Sequence, residues 1–436
     1  MQVISSKKKI RIIQLIALIF LTVCGGPYGL EPLLSYVNAH AAILLLIITP
    51  VIWDFPTIAA VLELNSMMPV NGGYYQWVKR ALGIRWAFYE GWWTWLYTFV
   101  DLAIYPVLFV EYLTFFFPEI HAYKIPICLV IIWSATVLNV IGINPVGKVS
   151  VLLSAIVVLP FIILIVISFK NSHATIAIPT LSIKGNSYSA IGMALYTIMW
   201  NFIGWDNTTT YAGEVNNPIR SYLISVIITF ILVFTLYFLT VVISLASGID
   251  IATLKTNGYP ALGLLIGGRS LGAAIAIGGM ASALGLYSSV LLSISRVPKV
   301  MADDKLLPAI LERLHPHFNT PYVSIITCSG IVSVMIFLSF EDLVIIDVTL
   351  YGAALIMEYI SLIVLRIRFP DEHRPFRIPL GIPGLCILFL LPVSVYAVAV
   401  SAAFINSGQS LKPIIFAVVA LLSAEVLWRI ITWRGK

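Results

Sequence analysis

"CGGPYGLEPLL", residues 24 to 34, interrupts a run that otherwise reads as a membrane helix. Two glycines, a proline and a third glycine lead to Glu31 where apolar residues should continue. Unwinding a helix in lipid strands backbone N–H and C=O groups at several kcal/mol each, so a break survives only where protein, water or a ligand satisfies them. A carboxylate at that depth is costly too, and marks a functional position.

The flanking sequence identifies the solvent as a bilayer. Of 436 residues 60% are apolar and 11% charged, with mean hydropathy +0.99, whereas a soluble domain carries roughly 25% charged residues. A spanning helix needs about 20 mainly apolar residues. About twelve segments meet this, near 10–36, 41–64, 86–117, 125–141, 147–169, 188–213, 219–247, 270–296, 322–340, 343–366, 384–406 and 411–432. With the N-terminus inside, 20 of the 26 Lys and Arg fall on the inner face and 6 on the outer, the bias expected of cytoplasmic loops. This places both termini in the cytoplasm of a multi-pass plasma or inner membrane protein, with a basic tail at 1–9 and a basic pI explained by topology rather than nucleic acid.

A second interrupted span, "MWNFIGWDNTTTYAGE" at 199–214, follows the first by five helices. Paired broken helices in corresponding halves point to a transporter site at the midplane. The economical architecture is all-α: a five-plus-five inverted repeat with discontinuous helices 1 and 6, followed by two additional helices. Its core runs over 10–369, with repeats at about 10–169 and 188–369 and the extra helices at 384–432.

Within the spans, Trp93, Tyr97, Asp101 and Tyr105 recur every four residues along one drifting helix face. Aromatic faces attract ammonium groups by about 0.5 to 2 kcal/mol, so an acid within that stripe suits a cationic amine. Trp92, Trp93 and Trp95 read by default as interface residues. Asp347, Tyr351 and Glu358 share a face in span 10; they fit a proton relay or an ion pair with Arg366 or Arg368 equally well. Glu63 reads as a loop anchor, and Ser288 and Ser289 as interhelical hydrogen bonds more readily than as a cation site.

Enzyme chemistry has no constellation to stand on. The six histidines, His40, His121, His173, His315, His317 and His373, fall in expected loops or span ends, and the four cysteines, Cys24, Cys128, Cys328 and Cys386, have neither zinc nor disulfide spacing. No cofactor and no metal are expected, and oligomeric state is not legible.

The stretches WNFIGWDNTTTYAGEVNNPIR, GGPYGLEP, ELNSMMPVNGGYYQWVKRALG, DLAIYPVLFVEYL, MADDKLLP and YGAALIMEYISLIVLRIRFPDEHRPFRIPLG together resemble the amino acid, polyamine and organocation transporter superfamily, in its polyamine uptake and L-type amino acid branch. The resemblance implies secondary active transport. It implies also that Trp200 closes over the substrate and that Asp206 senses protons or pairs with the substrate amine. In amino acid carriers of this kind the first break usually reads Gly-Ser-Gly, and its free N–H groups hold the substrate carboxylate. Here it reads Gly25, Gly26, Pro27, Tyr28, Gly29, and proline has no N–H.

The substrate contacts expected are Gly25, Gly26, Tyr28, Gly29, Glu31, Asp101, Tyr105, Trp200, Asn201, Gly204, Trp205 and Asp206, with Asp206 and Glu31 coupling to protons. The substrate expected is a cationic amine, first a polyamine, with H+ as coupling ion. The alternatives are a neutral or cationic amino acid permease or exchanger, and a non-transporting nutrient sensor on the same fold.

Overall fold

A computed structural model describes residues 9–170, 181–337, 340–405 and 412–434. Residues 1–8 of the expected basic tail, His173 and Lys436 lie outside the described residues. Long apolar runs with few charges leave the backbone no partner in lipid but itself, and helices result. They are α1 (Ile12–Val23), α2 (Leu33–Tyr36), α3 (Ala39–Thr49), α4 (Phe55–Met67), α5 (Gly73–Leu82), α6 (Ile84–Leu113), α7 (Lys124–Ile141) and α8 (Ile143–Lys170). The second half holds α9 (Tyr188–Trp200), α10 (Pro218–Ala246), α11 (Ile251–Ile294), α12 (Arg296–Asp303), α13 (Tyr322–Met335), α14 (Phe340–Arg368), α15 (Ile382–Ile405) and α16 (Lys412–Arg434). Among the described residues there is no strand, only two isolated backbone bridges.

Nine helical segments among the described residues are long and apolar enough to cross a membrane, which makes this a multi-pass membrane protein. Three of the expected spans are shorter helices. α1 stops at Val23 and α9 at Trp200, each where its break begins, and α13 is described to Met335. A π-helical turn at Pro50–Asp54 joins α3 to α4.

Helix starts follow local chemistry. The Asn38 side chain accepts from Ala41 N at 3.0 Å and Ser187 Oγ from Ala190 N at 3.1 Å, which fixes the starts of α3 and α9. The segment named α11 is interrupted by non-helical backbone at Gly258, Gly267 and Gly268, so its long span starts just past Gly268, near the expected residue 270, and short helical stretches from Ile251 precede it in a stretch read as loop.

α11 packs along α8 and α6, while α14 lies along α6 and α5. The connection after α11 carries α12, a largely buried helix with Val297, Met301 and Ala302 turned inward. α5 also lies in a stretch read as loop, and it buries Tyr74, Tyr75, Trp77 and Val78.

Candidate functional site

The two breaks face one another. α1 ends with Cys24 N and Gly25 N both donating to Phe20 O, at 2.9 and 2.8 Å. Beyond it the backbone becomes left-handed at Gly25, Gly26 and Gly29. A side chain at Gly29 has no room, because φ is +88° and a Cβ would sit 2.4 Å from the Trp200 ring. Gly204 performs the same task in the second break: φ is +97° and a Cβ would approach Thr22 O to 3.0 Å. Glycine at these two positions brings the broken helices into contact.

Between them lies a small cavity whose walls include Cys24, Tyr97, Asp101, Tyr105, Trp200 and Asn207. It encloses about 10 Å³, room for one water. No lysine, arginine or histidine lines it. Asp101 is 5% exposed, and Tyr105 Oη is within 2.6 Å of both its carboxylate oxygens. The Trp200 side chain bonds the same carboxylate.

Asp347 of α14 stands within electrostatic reach of Asp101. It is fully buried, and neither of its oxygens has a hydrogen-bond partner. Taking a carboxylate out of water costs several kcal/mol unless a charge or donors compensate. Asp101 on the cavity wall and Asp347 within its electrostatic reach together favour a cation there.

Of the expected contacts, Asp101, Tyr105, Trp200, Asn201 and Gly204 line this cavity. The others sit elsewhere. Tyr28 points into α11, donating to Ile275 O at 2.7 Å. Trp205 Nε1 donates to Asp54 Oδ1 at 3.1 Å, on the side toward α4. Glu31 serves the break itself: its carboxylate accepts from Gly29 N at 2.6 Å and from Tyr112 Oη at 3.1 Å.

Asp206 sits behind the cavity wall. Tyr351 Oη donates to Asp206 Oδ1 at 2.9 Å, and the Tyr351 ring packs edge-on against Tyr97 at 5.4 Å. Tyr97 in turn reaches Asn207 Oδ1 at 3.3 Å. Glu358 hydrogen-bonds to Asp206, and Glu90 of α6 lies within electrostatic reach of both.

Four backbone donors of the first break are already engaged. Gly25 N binds Phe20 O, Gly26 N binds Cys24 Sγ at 3.1 Å, Gly29 N binds Glu31, and Leu30 N binds Pro27 O at 3.1 Å. With Pro27 lacking a donor, little remains to hold an anionic head.

Other readings resolve. Arg366 makes a two-pronged pair with Glu63 at 2.6 Å, rather than with Asp347 or Glu358, and Arg368 donates to Ala81 O. Asn139 Nδ2 donates to both Ser288 O and Ser288 Oγ at 3.1 Å, an interhelical link. Trp92 and Trp93 are tied to a neighbouring helix. Their indole nitrogens bond Ser423 and Leu421 of α16, and Trp95 bonds Cys328 Sγ, because neighbouring helices cover this part of α6.

Sequence reading missed two acids of the site: Asp347 as a neighbour of Asp101, and Glu90 altogether. A signal was present. Glu90 and Asp101 are eleven residues apart on α6, as Asp347 and Glu358 are on α14, about three turns or 16 Å in each case.

Comparison with known proteins agrees with this architecture. A family model described as amino acid permease matches residues 10–424. The chain is 32% identical to polyamine transporter RMV1 of Arabidopsis thaliana over 419 residues, 95% of this chain and 84% of the relative. It is 32% identical to polyamine transporter PUT1 of Oryza sativa subsp. japonica over 399 residues, 89% of this chain and 72% of the relative. The serine/threonine exchanger SteT of Bacillus subtilis (strain 168) is 24% identical over 393 residues, 86% of this chain and 87% of the relative. With two broken helices meeting at a buried cavity and a family match over nearly its whole length, the chain is a transporter rather than an enzyme, and it belongs to the amino acid permease family of the amino acid, polyamine and organocation superfamily.

Proposed function

We propose that this protein takes up a linear aliphatic polyamine in exchange for the energy of an inward proton gradient. The observation that carries the reading is Asp101, a buried carboxylate on the wall of a cavity without a basic lining residue, with the buried and unpartnered Asp347 within electrostatic reach of it though outside the lining. An ammonium supplies the charge and donors that the Asp347 oxygens lack, and the faces of Tyr97, Tyr105 and Trp200 add attraction of about 0.5 to 2 kcal/mol for each well-placed ring. The engaged N–H groups of the first break argue in the same direction, since an amino acid would need them for its carboxylate. The names of two relatives, polyamine transporters of Arabidopsis thaliana and Oryza sativa subsp. japonica, support it as well.

In this reading Asp101, Tyr105, Trp200 and Asn201 touch substrate, and Asp347 joins them. Gly25, Gly26, Tyr28, Gly29, Glu31, Gly204 and Trp205 position the breaks. Asp206 couples the proton, the role that the family resemblance implies for it, while Glu31, expected to share that role, is assigned here to the break. Residues 10–169 and 188–369 act as the two repeats whose relative rocking opens the cavity to each side in turn, and the end richer in Lys and Arg faces the cytoplasm of a cell membrane.

Proteoliposome uptake of labelled putrescine, spermidine, arginine and leucine tests this, with and without an inward proton gradient and with sodium as a control. Gradient-driven putrescine or spermidine uptake is the expected result. Leucine uptake with polyamines inert would instead favour an amino acid exchanger, the reading that similarity to the serine/threonine exchanger supports.

A further inference from the structure

α6 and α14 pack against each other and carry their acids as two rungs. The upper rung is Asp101, on the cavity wall, with Asp347 within electrostatic reach of it. The lower is Glu90 with Glu358, joined by Asp206 from the second break. None of the three lower acids lines the cavity; the Tyr97 and Tyr351 rings lie between the rungs.

The lower rung is short of polar partners. Glu90 and Glu358 are each 1% exposed, and each leaves Oε2 without a hydrogen bond. Independently, Tyr74 of α5 is fully buried within electrostatic reach of all three acids, and its hydroxyl too has no partner. Buried polar groups without partners are rare and call for an explanation.

The groups facing this cluster are all acids or phenols. α5 presents Tyr74; α6 presents Glu90 and Tyr97; the second break presents Asp206; α14 presents Tyr351, Glu358 and Tyr359. The nearby cations are committed elsewhere, Lys79 to Asp304 at 2.6 Å and Arg366 to Glu63. Asp206 and Glu358 lie close enough that a proton held by either carboxyl can be shared with the other. Metal-binding geometry is a poor fit, since no group of three His, Cys, Asp or Glu among the described residues is arranged to hold an ion.

We infer that Glu90, Asp206 and Glu358, with the Tyr74 hydroxyl, form the transporter's proton site, separate from the amine site at Asp101 and Asp347. One proton from water on the side of higher concentration forms an O–H on one carboxyl of the cluster, and its release to water on the other side restores the carboxylate. The Tyr351 hydroxyl, bonded to Asp206 beside the cavity wall, ties the protonation of the cluster to the shape of the second break. This inference rests on the proton-coupled reading proposed above, and on the polyamine only for its choice of probe.

The test uses the full chain in proteoliposomes, with labelled putrescine and a pH-sensitive dye in the lumen. Counterflow of putrescine at equal pH reports the substrate site; stimulation of uptake by an inward proton gradient reports the proton site. Glu358→Gln and Glu90→Gln are expected to keep counterflow while the ratio of uptake with and without the gradient falls to one and substrate-linked acidification disappears. Asp101→Asn is expected to lose counterflow. Retained gradient stimulation in both glutamine variants overturns the inference, as does loss of counterflow in monodisperse variants or stimulation of the wild type by sodium in place of protons. Should the glutamine variants not fold, Tyr74→Phe keeps the ring and removes only the hydroxyl. It is expected to shift the pH of half-maximal uptake, and an unmoved midpoint overturns the inference. If wild type exchanges leucine but not putrescine, the polyamine reading fails by itself, and the gradient arms are decided with leucine.

Discussion

Asp101 holds two contacts that separate charge from position. Its carboxylate takes the Tyr105 hydroxyl at 2.6 Å and the Trp200 side chain, and it still faces Asp347. Asp101→Asn removes the charge and keeps the shape, and hydrogen bonds to charged groups are worth about 1.5 to 3 kcal/mol. Putrescine uptake at limiting substrate is therefore expected to fall by about tenfold or more, at 1.4 kcal/mol per factor of ten. Tyr105→Phe is expected to do less, because the carboxylate and its bond to Trp200 remain; initial rates across a substrate series give both. Glu31 makes the contrasting case. Its oxygens are occupied by Gly29 N and Tyr112 Oη, so Glu31→Gln is expected to lower the melting temperature in detergent and leave the KM for putrescine near that of wild type. A rise in KM matching that of Asp101→Asn would put the Glu31 charge on the substrate instead.

At the scale of elements, the α14 end is fastened to α4 by charge. Arg366 pairs with both oxygens of Glu63 at 2.6 Å, Arg374 approaches the same carboxylate at 3.5 Å, and Ile378 N donates to it at 2.8 Å. Glu63 is fully buried and Arg366 is 5% exposed. Breaking a buried pair by removing one partner typically costs about 3 to 5 kcal/mol, because the other charge is left uncompensated. Glu63→Gln is therefore expected to lower the melting temperature more than Glu31→Gln does, and thermal denaturation of both purified variants checks the order. The anchor role of Glu63 was legible in its sequence, since an acid at the basic end of a span has loop cations within reach. The broken helices were legible for a stronger reason: Gly25, Gly26, Pro27 and Gly204 cannot continue a helix at normal cost. For Glu90 only its spacing from Asp101 was legible; that it meets Glu358, 268 positions away, was not, because periodicity along one helix cannot report what faces it on another. The same ignorance of neighbours hid the bonds of Trp92 and Trp93 to α16, and it hid α5, which buries Tyr74, Tyr75, Trp77 and Val78.

The whole molecule is closed around its cavity, and the closure at the basic end is built from four separated segments. Ile10 N donates to Glu214 O at 3.1 Å and Asn216 N returns a bond to Ile10 O at 3.0 Å. Gly72 N donates to Thr210 O at 2.8 Å, and Gly213 N to Asn71 Oδ1 at 3.1 Å. Arg296 closes the set with its guanidinium on Glu214 at 3.1 Å, both side chains under 5% exposed. Outside the spans, Tyr75 and Lys79 of α5 both bind Asp304 after α12, and burial together with that carboxylate holds the Tyr75 phenol above its ordinary range. A cavity with room for one water cannot admit a polyamine, so turnover requires that this seal part. Cys24 reports the event, because its thiol lies on the cavity wall and is 4% exposed. In a background carrying Cys128→Ser, Cys328→Ser and Cys386→Ser, a membrane-permeant maleimide is expected to modify Cys24 slowly, and putrescine to slow it further. Glu214→Gln leaves Arg296 without its charge partner and should speed the reaction, since the seal then opens at lower cost. Unchanged labelling in a folded Glu214→Gln variant would mean that the backbone bonds from Ile10 and Gly72 hold the cavity shut without the ion pair, and that opening begins at the other end of the molecule.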